Sequence, residues 1–207
     1  TFAIELVGRE EGRLLARLPQ MLDEVRADVG AAEVSAETIR AAGATITRAM
    51  TEYMEHIGEA NLDRADRERL VRLQHRTANL NALFETIGDF VTVLRTAREW
   101  PSSAQVADQM VEALHALLGA LVEAASSEDE ADHELLLSLL GHRDELMERM
   151  RRRVLREDPD MPPKAQEALF STTMLFERIV WLARRSALLL RSEPTAAARE
   201  ADVGAAA

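Results

Sequence analysis

The chain has 207 residues, no cysteine and a formal net charge of −11. That length can bury a substantial core, as one large domain or two small ones. The acidic balance excludes a nucleic-acid binder, whose surface must neutralise phosphates, and the missing cysteine excludes disulfides, thiolate metal ligands and a cysteine nucleophile. Ala, Leu, Arg and Glu dominate the sequence. All are strong helix formers, so an all-α fold is predicted. No apolar run reaches the ~20 residues needed to span a bilayer, and no basic segment precedes an apolar one as in a signal peptide.

Helix one is predicted from about Phe2 to Val29, with Leu14, Leu18, Met21, Val25 and Val29 at three-and-four spacing. Pro19 lacks a backbone donor and should kink it. Ser35 is the expected N-cap of helix two, whose inward row is Ile39, Ala42, Ile46, Met50, Tyr53 and Ile57. After a break at Asn61–Asp63, helix three is the longest. Its seam is Leu70, Leu73, Thr77, Leu80, Phe84, Ile87, Val91 and Leu94, the pattern of a helix packed at a shallow angle. It stops at Trp100–Pro101, because proline disfavours helix at the residue before it and suits a first turn after it.

Helix four places Val106, Met110, Leu114, Leu117 and Leu121 inward. Ser127 with Glu130 matches a capping box that opens helix five, which carries Leu136, Leu139, Leu140, Leu146, Met150 and Val154. Asp158 to Pro163 breaks the chain again. Helix six runs to about Arg191 with Leu169, Phe176, Ile179, Val180, Leu182, Ala183 and Leu190 facing in. Beyond Glu193–Pro194 the Ala-rich tail has almost nothing large to bury and is expected to be frayed or disordered. The predicted organisation is six long antiparallel helices as two tandem three-helix bundles, residues 1–100 and 101–192, followed by the tail 193–207. The two bundles should pack along helices three and six.

The stretch LFETIGDFVTVL, Leu83 to Leu94, sets Glu85 and Asp89 one turn apart on helix three, beside the apolar seam. Two such carboxylates are the minimum a helix offers a hard cation, whereas a solvated acidic stripe is the plainer alternative. A near-copy, LFERIVWLARRS, runs from Leu175 to Ser186; it keeps Phe176, Glu177 and Ile179 and puts Trp181 where Asp89 stands.

This doubled stretch resembles the repeated signature of the PhoU family, Glu-(Arg/Lys)-Ile-(Gly/Ala)-Asp followed four residues on by Asn, and the resemblance covers about Phe2 to Arg191. It implies two three-helix bundles with the signature on the last helix of each. It also implies Glu85 and Asp89 as ligands of a divalent or iron- or zinc-type metal, with Glu177 the one ligand kept in the second half. Val93 and Arg185 stand at the Asn positions, so both signatures are incomplete. Arg178, Arg184 and Arg185 around Glu177 would repel a cation and pair with that carboxylate instead. Trp181 reads as core or interface packing.

The family resemblance implies a regulatory, non-enzymatic domain in phosphate homeostasis. The incomplete signatures and the Thr1 start favour the cytoplasmic domain of a sodium/phosphate symporter, at the inner face of the plasma membrane, over a free-standing PhoU regulator acting on a phosphate transporter and histidine kinase. An attached or associated membrane phosphate transporter is the expected partner, with a homodimer as a further option. A third reading is a carboxylate-bridged metal bundle, for which only Glu112–His115 and Glu130–His133 have ExxH spacing. His56, His75, His115, His133 and His142 show no HxxxH or HExxH spacing, and no GxSxG or Gly-rich phosphate loop is present. Asn79 and Asn81 are candidates to hydrogen-bond near the acidic face.

Overall fold

A computed structural model describes residues 2–26, 33–127, 129–141 and 144–191, at 102 and 144–146 by backbone alone. Seven α-helices and one 3-10 segment make up the regular structure, with no strand among the described residues. They are α1 (Phe2–Leu15), the 3-10 segment Pro19–Val25, α2 (Ala36–Gly58), α3 (Arg64–Ala97), α4 (Pro101–Ser126), α5 (Glu130–Leu139), α6 (Asp144–Glu157) and α7 (Pro163–Arg191).

The two longest helices, α3 and α7, lie against each other and form the axis of the molecule. α1 and α2 flank α3; α4, α5 and α6 flank α7; α1 and the 3-10 segment also reach across to α4. One apolar core runs through all of these contacts, and a smaller cluster of Val154, Met161, Ala165 and Leu169 ties α6 to the start of α7. Every residue of the predicted α3 seam is buried. So are Leu83, Thr86, Gly88 and Phe90 on other faces, because α3 is enclosed by neighbours on several sides. No helix among the described residues is long and apolar enough to cross a membrane.

Local chemistry fixes the helix ends. Ser35 caps α2 as expected, its hydroxyl accepting from the Thr38 amide at 3.1 Å. Asp63 caps α3 by accepting from the Asp66 amide at 2.7 Å. Pro101 opens α4, and the Ser103 hydroxyl donates back to the Ala97 carbonyl, locking the turn between α3 and α4.

Several expectations need correction. Helix one is not kinked at Pro19: the α-helix ends at Leu15 and a tighter 3-10 segment restarts with Pro19 in its first turn. Residues 27–29 of the predicted helix lie outside the described residues. In α2 the buried row is Ile39, Gly43, Thr47, Met50 and Met54, while Ala42 and Tyr53 are exposed. The cause is Gly43, which sits against the Phe84 ring so closely that a Cβ there would fall 2.8 Å from it. Predicted helix five is two helices, α5 and α6, and Leu139 is exposed. α5 is capped by Asp129, which accepts from the Ala131 amide, and not by a Ser127–Glu130 box. The side chain of Leu146 and the tail from residue 192 lie outside the described residues.

Candidate functional site

Glu85 and Asp89 stand one turn apart on the outer side of α3, Glu85 half-buried and Asp89 exposed. Glu85 is already engaged: Arg40 of α2 donates from Nη1 to its Oε2 at 2.7 Å. The same guanidinium grips Glu37 through Nε and Nη2, at 2.8 and 2.7 Å. These bonds depress the Glu37 carboxyl below the ordinary range and raise the Arg40 guanidinium further, through Glu37 first and Glu85 second. Gly88 makes this possible, since a Cβ there would lie 2.5 Å from Arg40 Cδ. Gly88 is therefore a slot for an arginine stem.

Beyond Glu85 the groove between α2 and α3 widens into a polar cleft of about 520 Å³, lined by Thr47, Arg48, Thr51 and Asn81. Thr47 donates to Asn81 Oδ1 at 3.0 Å across it. Asn81 thus lies near the acidic face. Asn79 points the other way, into the α3–α7 interface, where its amide donates to the Leu182 carbonyl at 2.9 Å and to Ser186 Oγ at 2.7 Å.

In the second half, Glu177 is held by Arg151 of α6, whose Nη1 lies 3.2 Å from Glu177 Oε1 and 3.0 Å from the Thr173 hydroxyl. Arg178, Arg184 and Arg185, expected to pair with Glu177, are exposed and do not. Trp181 is 56% exposed with the Arg185 guanidinium 5.7 Å from its ring centroid, so it is no core residue. Each of these two glutamates thus pairs with one arginine from the helix that precedes its own, Arg40 for Glu85 and Arg151 for Glu177. Sequence reasoning missed both arginines, because nothing local marks a partner so far back in the chain.

The donors do not fit a multinuclear metal centre. Among the described residues no group of three His, Asp or Glu side chains comes together to hold an ion. A cation at Glu85 would have to displace Arg40, and Asp89 alone would remain beside it. The ExxH residues are engaged elsewhere. Glu112 receives a two-bond clamp from Arg26, both bonds 3.0 Å, which holds its carboxyl below the ordinary range. His115 lies 3.3 Å from Arg26 Nη1 and 3.7 Å from Asp23; Glu130 pairs with Arg191. His133 and His56 each place Nδ1 against the carbonyl four residues back, His75 is exposed, and His142 lies outside the described residues.

A second polar feature lies where α1, α3, α4 and α7 meet. Glu11 is 5% exposed and pairs with Arg76 at 3.1 Å, beside a cavity of about 60 Å³ bordered by Gly8, Gly12, Ala125 and Ser186. A volume of that order holds one or two waters, not a metabolite.

Comparison with protein-family models, with curated proteins and with solved structures gives no match.

Proposed function

We propose that this chain is a regulatory interaction domain of the PhoU type that modulates sodium-coupled phosphate transport from the cytoplasmic side and carries out no catalysis. The observation that carries the reading is the paired treatment of the signature glutamates. Glu85 on α3 and Glu177 on α7 occupy the two helices that form the molecular axis, and each is clamped by an arginine from the preceding helix. The break at Trp100–Pro101 falls between the two sets, which supports a division into repeats 1–100 and 101–192.

On this reading, guanidinium groups stand where the family's signatures would hold metal, and the domain works through packing alone. The α3–α7 contact is the element whose two arrangements a transporter could bias, and it carries the buried Asn79–Ser186 bond as its register pin. The experiment is sodium-dependent phosphate uptake in cells expressing the complete gene product, with and without this domain. The expected result is a changed uptake rate or a changed response to external phosphate when the domain is removed. Identical uptake and response overturn the proposal.

A further inference from the structure

The outward face of α7 carries more exposed large apolar residues than any other helix among the described residues. Phe170, Met174, Trp181 and Leu188 are 41%, 64%, 56% and 48% exposed. Met174, Trp181 and Leu188 are seven apart and Phe170 is one turn before Met174, so they form one row parallel to the helix axis. At 1.5 Å per residue the row is about 27 Å long. Arg178, Arg184 and Arg185 lie within and beside it, all exposed, and form no ion pair among the described residues. Elsewhere Arg26, Arg40, Arg76, Arg95, Arg98 and Arg151 pair with carboxylates from other elements, whereas these three cluster beside an apolar row.

We infer that this face of α7 docks an acidic amphipathic helix of a partner protein. One apolar residue recurs every seven along this face, and a helix laid alongside α7 would cover the row, with Trp181 as the central anchor. The arginines set the partner's chemistry. Arg178 and Arg185 each follow a row position by four residues, the flanking place where coiled-coil partners set complementary charge, so the incoming helix needs Glu or Asp beside its own apolar positions. A second copy of this chain fits poorly, because a two-fold contact would bring these arginines against one another. A bilayer fits poorly as well, because the apolar strip is one residue wide and interrupted by Arg178, whereas an interfacial helix buries a broad apolar face. The inference deepens the interaction-domain reading and rests on it only in holding that the domain acts by contact.

The test uses the full chain and three probes: a helical peptide with Leu at a and d and Glu at e and g, its Lys counterpart, and vesicles rich in phosphatidylglycerol. Binding is followed by calorimetry and by emission from Trp181 in a Trp100→Phe background. The acidic peptide should bind with a micromolar Kd and shift the emission to the blue. Trp181→Ala and the triple change Arg178→Glu/Arg184→Glu/Arg185→Glu should each weaken it at least about tenfold, with the thermal melt unchanged because all four side chains are exposed. Equal affinity for the two peptides, or an unaffected triple variant, overturns the inference. Vesicle binding without peptide binding assigns the face to lipid and overturns it too. So does a dimer in sedimentation equilibrium that Trp181→Ala converts to monomer. Uptake that depends on the domain without peptide binding removes only this inference; peptide binding without an effect on uptake removes only the transport reading.

Discussion

Arg40 reaches Glu85 across residue 88, and it does so only because residue 88 is glycine. The 2.7 Å contact and the 2.5 Å clearance from a hypothetical Cβ are two sides of one arrangement. Gly88→Ala should therefore push Arg40 off Glu85. A helix-interior Gly→Ala change gains roughly 0.5–1 kcal/mol, and a half-exposed ion pair contributes roughly the same or less, so the net effect in the wild type should be near zero. In an Arg40→Ala background the clash is absent, and the same substitution should stabilise by the full ~0.5–1 kcal/mol. Urea denaturation of the four proteins in this cycle measures the difference. Equal effects in both backgrounds would show that Arg40 does not occupy the slot.

Gly43 is a different case, because its neighbour is the ring of Phe84, fully buried in the core, and not an arginine at a half-open surface. A Cβ 2.8 Å from that ring requires α2 to move away from α3. Gly43→Ala should destabilise by about 1–3 kcal/mol despite its gain in helix propensity. Gly12→Ala is the matched control: nothing lies within 4 Å of its Cβ position, and it should stabilise by about 0.5–1 kcal/mol. Opposite shifts in the urea midpoint are expected; shifts of the same sign would contradict the close approach of α2 to α3.

These two glycines also mark where the sequence was and was not legible. The α3 seam, the Ser35 cap and the Pro101 start follow from periodicity and turn chemistry, which act within a few residues. The inward face of α2 does not follow its apolar side chains, because Gly43, the residue that presses closest to its neighbour, has no side chain. The division of predicted helix five was invisible because Leu139, Leu140 and Leu146 continue a plausible helical period. The carboxylate pair on α3 is legible from its spacing. Its arginine is not, because Arg40 and Arg151 meet Glu85 and Glu177 only through the packing of whole helices.

His56, in the last turn of α2, places Nδ1 2.8 Å from the Glu52 carbonyl, with Glu59, Glu55 and Glu52 nearby. The carbonyl contact, then the Glu59 charge, favour the protonated ring and raise it above the ordinary value of 6.5. A raised value stabilises the fold fully below the unfolded value and loses that contribution as pH rises through the folded one. Titration by NMR should place the His56 midpoint above 6.5, and His56→Gln should abolish the part of the stability loss that occurs just above that pH. A midpoint at or below 6.5 would contradict the balance of contacts that favours the protonated ring.

The Glu11–Arg76 pair joins α1 to α3 in a place water barely reaches, with side chains 6% and 13% exposed. Desolvating two charges costs several kcal/mol, and their attraction offsets this only while both are present. Glu11→Gln takes the Glu11 charge from a nearly buried guanidinium and should destabilise by about 2–4 kcal/mol, at the low end if the adjoining cavity admits a water. Replacing both residues, as Glu11→Leu with Arg76→Met, removes the charges together and should lie within about 1 kcal/mol of wild type. The pair should also respond little to added salt, unlike the exposed Arg64–Glu68 bridge on the outer turn of α3. Urea denaturation at low and high salt separates these outcomes. A single substitution costing less than about 0.5 kcal/mol would mean that the pair is solvated and that α1 is held by its apolar residues, Ile4, Val7, Leu14 and Leu15, alone.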